Sequence, residues 1–206
     1  MVPLNNFLYA FIFSFVGSIP PGSINLSIIE MGLEQKTKAA LRFSLAAALM
    51  EYPYAWLAVK FESLITSSPL INENLHLISA VVMTLLGVIG LWPTSQAPSR
   101  FREKYRKSGF RRGLVLGLLN PLAIPYWVGI TAYLKSLNWI TLTSAGALHA
   151  YLLGVFIGAF LLLVILAYLS NKVMQGFMQF PWIKKIPGTL LLVLGLYAFI
   201  HYFFFL

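Results

Sequence analysis

The stretch 145-AGALHAYLLGVFIGAFLLLVILAYL-169 runs for 25 residues without one Asp, Glu, Lys or Arg. A hydrocarbon core about 30 Å thick is crossed by about 20 helical residues at 1.5 Å each, so a run of this length and polarity reads as a membrane crossing. Five more apolar stretches join it: Phe7–Ile29, Ala39–Phe61, Leu75–Trp92, Gly113–Leu134 and Ile186–Leu206. None alternates in polarity over the roughly ten residues that strands of a membrane barrel need, which leaves helices. The expected fold class is all-α integral membrane, with six transmembrane helices.

Composition points the same way. Of 206 residues, 59% are hydrophobic and 10% charged, and the mean hydropathy is +0.79. That is more apolar surface than a soluble domain of this length can bury, so residues 1–206 are expected to form a single transmembrane domain. The chain has no cysteine, which excludes disulfides, thiolate metal sites and thiol–disulfide electron transfer. Its net charge of +9 falls between apolar stretches, where Lys and Arg set orientation, so no nucleic-acid partner is expected. Thirteen of the fifteen Lys and Arg lie in connections 1, 3 and 5, against Lys60 and Lys135 on the other side. This places those connections in the cytoplasm and both termini outside, in a bacterial-type inner membrane. Met1 to Asn6 carries no basic residue and the first apolar run ends in Gly-Ser-Ile-Pro-Pro, so the first segment is expected to stay as a span.

The basic stretch ending at Arg112, residues 94–112, divides the chain into halves of three spans, about 1–93 and 113–206. Its simplest reading is a cytoplasmic linker anchored against anionic headgroups; residues 171–185 read as a shorter interfacial segment. Three spans per half make the halves inverted repeats, as in many secondary transporters. Each half carries a proline-rich irregularity: Gly17-Ser-Ile-Pro-Pro-Gly-Ser-Ile-Asn25 and Gly117-Leu-Leu-Asn-Pro-Leu-Ala-Ile-Pro125. Proline has no backbone donor, so Pro20 and Pro21 should free the carbonyls of Val16 and Gly17, and Pro121 and Pro125 those of Gly117 and Pro121. Broken first and fourth helices are the expectation. They make Pro21, Gly22, Asn25, Asn120, Pro121 and Pro125 candidates for a central polar site, the alternative being kinks satisfied by neighbouring hydroxyls.

Glu51 is the carboxylate in the middle of the second stretch, where an ionised group costs at least about 2.5 kcal/mol. At helical spacing its face carries Ser44, Ala47, Ala48, Tyr54, Ala55 and Ala58, which suits close helix packing, so Glu51 should face the bundle. Pro53 should release the carbonyl of Leu49, and the Tyr54 hydroxyl is within reach of Glu51. Such an acceptor-rich patch either holds a substrate ammonium, or exchanges a proton, or alternates between them; the competing reading is a protonated Glu locked in a helix-to-helix hydrogen bond. Tyr126 and Trp127 follow the second break and are candidates for the cavity lining. His149 reads as interfacial, and Lys60 should snorkel to the surface.

The pattern resembles the lysine-exporter (LysE/RhtB) superfamily of amino-acid efflux proteins over the whole chain. The resemblance is carried by Pro21-Gly-Ser-Ile-Asn-Leu26, the acidic residue at Glu51, and Gly113 followed by Asn120-Pro121. It departs where the family usually reads Pro-Gly-Pro-Asn: Ser23 and Ile24 hold the last two places, and Asn follows at Asn25. Glu51 replaces the usual Asp, and Leu122 the common Lys. The resemblance implies proton-motive-force-linked export of amino acids or related zwitterionic or cationic solutes, with a coupling ion and the bilayer as partners and no cofactor.

Two other classes stay open beside it. Metal-cation efflux would want clustered His, Asp or Cys within the spans, and a non-transporting scaffold would leave Glu51 and both breaks insensitive to substitution. An enzyme is not expected, because no nucleophile–base set, metal motif or paired carboxylates fall within the spans. A homodimer through small-residue faces is compatible with the sequence and not required by it.

Overall fold

The computed structural model describes residues 2–19, 22–66, 108–120, 123–170 and 186–205, and helical residues at 77, 80, 81, 84, 85, 87, 88 and 91. Among these every regular element is helical: α1 (Val2–Gly17), α2 (Ser23–Leu33), α3 (Thr37–Thr66), α4 (Gly109–Leu118), α5 (Ala123–Ser136), α6 (Ala145–Leu169) and α7 (Ile186–Phe205). On its own α6 is long and apolar enough to cross a membrane; α4 and α5 qualify together, bent by 64° at their break. The third apolar segment and the 94–107 and 171–185 stretches lie largely or wholly outside the described residues, as do Pro20, Pro21 and Pro121.

Each element begins and ends for a local reason. Ser108 and Ser144 sit just before α4 and α6, where their hydroxyls accept from the N–H groups of Arg111 and Ala147. The turns after α2 and α5 share one geometry. Gln35 and Asn138 adopt positive φ (59° and 57°). Beside them, Lys36 N–H donates to Met31 and Gln35 N–H to Gly32, while Trp139 donates to Leu134 and Asn138 to Lys135, at 2.9–3.0 Å. These are two copies of one helix-ending motif, with Gln and Asn at the left-handed position that more often takes Gly.

Packing relies on close backbone approach. Gly154 and Gly158 of α6 lie against the carbonyls of Phe7 and Phe11 in α1, and Gly109 and Gly113 of α4 against those of Ala39 and Phe43 in α3. A side chain at any of the four would run into backbone, so small residues set these helix separations. Helices α3 and α6 also cross each other, α5 packs on α3 and α2 on α6. Gly87 lies against Leu192 and Gly195 against Thr84, so these described residues of the third apolar segment and α7 are in contact. One apolar cluster gathers Trp127, Ile130, Leu134, Tyr151 and Val155 with Ala55 and Ala58; a second gathers Ile28, Phe43, Leu163 and Leu166.

The contacts at Gly158 set a stability test. Gly158→Ala drives a methyl toward the Phe11 carbonyl and should destabilise by about 1–3 kcal/mol, whereas Gly146→Ala, with nothing near its added carbon, should be neutral or gain up to about 1 kcal/mol. Thermal unfolding in detergent compares the two.

Candidate functional site

Glu51 lies at the midpoint of α3, about 21 Å along the axis from Thr37. Ser44, Ala47, Ala48, Ala55 and Ala58 on its face are buried, so the helix turns this face into the bundle. One carboxylate oxygen accepts from the Trp127 indole N–H at 2.8 Å, and the Asn120 side chain hydrogen-bonds the same group. No described cation forms an ion pair with it. Trp127 is 1% exposed, with its ring edge-on to Tyr126 and Tyr151; behind it, Tyr151 and Thr131 share a hydrogen bond of 3.0 Å. The two donors to Glu51 flank the second break, Asn120 before it and Trp127 after it.

Tyr54 does not reach Glu51. Its hydroxyl donates at 2.5 Å to the carbonyl of Leu118, the last residue of α4, because the chain end at the second break offers a carbonyl without its helical donor. Other carbonyls at the breaks are likewise taken up. Asn25 reaches back from α2 to the carbonyls of Ser18 (2.7 Å) and Ile19 (3.3 Å), and the Val16 and Gly117 carbonyls accept from the N–H groups of Ile19 and Asn120. The expectation that freed carbonyls at Val16 and Gly117 would line a site is therefore corrected: short turns and side chains satisfy them. Pro125 sits in the first turn of α5, where a missing N–H costs little. Gly22 precedes α2 in extended conformation. Tyr126 ties the breaks together, packing over Gly17 and donating at 2.7 Å to the carbonyl of Phe13.

Two ion pairs bracket this centre. Arg112 is 5% exposed and donates to Ser27 Oγ (3.0 Å) and Glu30 Oε2 (2.7 Å) on α2, which removes it from the cytoplasmic linker. Gly109 and Gly113 bring α4 against α3 and carry the guanidinium inward. At the other end of α3, Glu62, 2% exposed, pairs with Lys135 of α5, so Lys135 is no free orienting charge. Lys60, as expected, lies exposed, over the Trp56 ring at 5.9 Å. His149 is exposed, with Nδ1 2.6 Å from the Tyr52 hydroxyl. The Glu30, Glu62 and Arg112 partnerships escaped the sequence reading, although a charge within or beside an apolar run was the available signal.

The LysE type translocator family model matches residues 15–202. A Bacillus subtilis (strain 168) protein named "Putative amino acid efflux protein YcgF" is 27% identical over 205 residues, covering 94% of this chain and 95% of its own. No solved structure matches the chain.

The Glu62–Lys135 pair yields a second stability test. Glu62→Gln leaves the mostly buried Lys135 ammonium without its counter-ion and should cost about 3 kcal/mol, while adding Lys135→Met should recover most of that. With Lys135→Met alone as the fourth corner, a double-variant loss equal to the sum of the two single losses, read by thermal unfolding in detergent, would show the pair uncoupled.

Proposed function

This chain belongs to the LysE type translocator family, a family of membrane transporters, and from that premise we propose that it exports amino acids or related small zwitterionic or cationic solutes in exchange for protons. Glu51 is the shared site. The observation that carries this reading is a carboxylate at the middle of α3, held by two neutral donors with no described cation beside it. A solute ammonium is a stronger, charge-assisted donor than an indole or an amide, and it takes their place on the carboxylate. A proton arriving from the other side competes for the same oxygens and releases the solute, which couples the two fluxes.

Displacing those donors also moves the protein. Asn120 and Trp127 pin the two sides of a 64° bend to one carboxylate, so their release lets α4 and α5 change angle about the break, while Tyr126 transmits the change to Gly17 at the first break. We take the halves, about 1–93 and 113–206, to be inverted repeats, each with a broken first crossing. The matched turns at Gln35 and Asn138, and the matched glycine contacts of α6 on α1 and α4 on α3, support that arrangement. In this reading connections 1, 3 and 5 are cytoplasmic in a bacterial inner membrane, and exchange for protons entering down their gradient drives the solute outward. In this scheme Asn25 and Tyr54 hold the broken ends, and Gly22 and Pro125 start the helices beyond them; Pro21 and Pro121 lie outside the described residues. The metal-efflux alternative is not favoured, since no group of three or more His, Cys, Asp or Glu suited to a metal occurs among the described residues.

The test is intracellular amino-acid accumulation in an export-deficient bacterial strain fed dipeptides, at matched membrane abundance. Wild type should relieve accumulation of particular amino acids. Glu51→Gln should lower that efflux at least about tenfold, the loss expected of one charge-assisted contact, and Trp127→Phe by less. A wild type that inserts normally and changes no amino-acid pool would rule out amino-acid export.

A further inference from the structure

Helix α3 carries a continuous exposed face. At helical spacing it reads Lys38, Arg42, Leu45, Leu49, Pro53, Trp56 and Lys60, all exposed, with Leu45, Leu49 and Trp56 among the large apolar side chains left uncovered. From Lys38 to Lys60 the axial rise is about 33 Å, close to the thickness of a hydrocarbon core. Cations at both ends, an apolar middle and a Trp near one boundary make this a lipid-facing stripe.

At its Lys38 end the stripe runs into a cavity of about 640 Å³ lined by Lys36, Lys38, Arg42, Ser108, Gly109 and Phe110. Two helix N-termini meet there, because Gly109 at the start of α4 packs on the backbone of Ala39 near the start of α3. Neither helix has an acidic residue in its first turn to offset its positive end. Lys36 is paired with Glu34 at 2.7 Å, while Lys38 and Arg42 have no ion pair among the described residues. The concavity is therefore strongly anion-seeking, and an apolar surface long enough for an acyl chain leads directly away from it.

We propose that this cavity is a headgroup site for an anionic glycerophospholipid. Its phosphate lies between Lys38, Arg42 and the N-terminus of α4, and its acyl chains run along Leu45 and Leu49. A soluble phosphate compound satisfies the cations and leaves the apolar stripe unused; a zwitterionic lipid satisfies the stripe and brings a second cation toward Lys38 and Arg42. The anionic amphiphile matches both. Because α3 and α4 meet at this spot, an occupied site braces the N-terminal ends of both helices, and the stabilisation should be measurable.

The experiment uses the purified full-length chain in neutral detergent and follows thermal unfolding by tryptophan fluorescence. Additions are phosphatidylglycerol, phosphatidylcholine, inorganic phosphate and sn-glycerol 3-phosphate. Phosphatidylglycerol should raise the midpoint by about 3 °C or more, and the other three by far less. Combined Lys38→Gln and Arg42→Gln should remove most of that shift, and Lys60→Gln at the far end of the stripe should keep it. Native mass spectrometry of wild type should show phosphatidylglycerol retained in preference to phosphatidylcholine, a readout independent of how the variants fold. Equal shifts with the two lipids overturn headgroup recognition. A soluble phosphate that matches phosphatidylglycerol makes this a soluble-anion site, and an undiminished shift in the double variant places the lipid elsewhere.

Discussion

A backbone group in hydrocarbon has no water to turn to, and the rest of this structure depends on how that constraint is met at two interrupted helices. Between α1 and α2 the carbonyls of Ser18 and Ile19 are taken by Asn25. Between α4 and α5 the carbonyl of Leu118 is taken by Tyr54, from a different helix. Both breaks also use a local turn, at Val16 and Gly117, and Tyr126 of α5 reaches the Phe13 carbonyl beside the first break, but a side chain of α3 closes the second. That contact ties the second break to α3, and α3 is where the half-buried Glu51 carboxylate sits.

Glu51 and the second break form one hydrogen-bonded unit. Asn120 and Trp127 approach the carboxylate from opposite sides of the interruption, so a change in the angle between α4 and α5 stretches at least one of these two hydrogen bonds. The small residues around Glu51 make this geometry reachable, since Ala47, Ala48, Ala55 and Ala58 let neighbouring helices come close. Two ion pairs, Arg112 with Glu30 and Lys135 with Glu62, then hold α4 to α2 and α5 to α3 on either side of this centre. Each joins helices far apart in the chain, so movement of α4 against α2 or of α5 against α3 strains one of them.

Close packing inside leaves a plain division outside. The face of α3 opposite the bundle keeps long apolar side chains between terminal cations, and the same helix that positions the half-buried Glu51 presents an exposed surface of bilayer dimensions. One 30-residue element serves both environments because helical periodicity separates its two faces.

The sequence alone determined the helical membrane class, the α6 span to the residue, the interruptions near Gly17 and Gly117, and the inward direction of Glu51. These rest on local quantities: apolar run length, missing proline donors, and the 3.6-residue period that sets which side chains share a face. Only the tertiary structure decided the partners. Tyr54 was within local reach of Glu51 but bonds Leu118, because packing of α4 on α3 brings that end carbonyl to the Tyr54 hydroxyl. Arg112 read as linker because its flanking charges are basic, and it is buried because glycines bring α4 onto α3. Glu30 and Glu62 find their cations more than seventy residues away in the chain. No periodicity encodes such a distance; it is set by which helix faces meet, and that follows from close packing of the whole bundle.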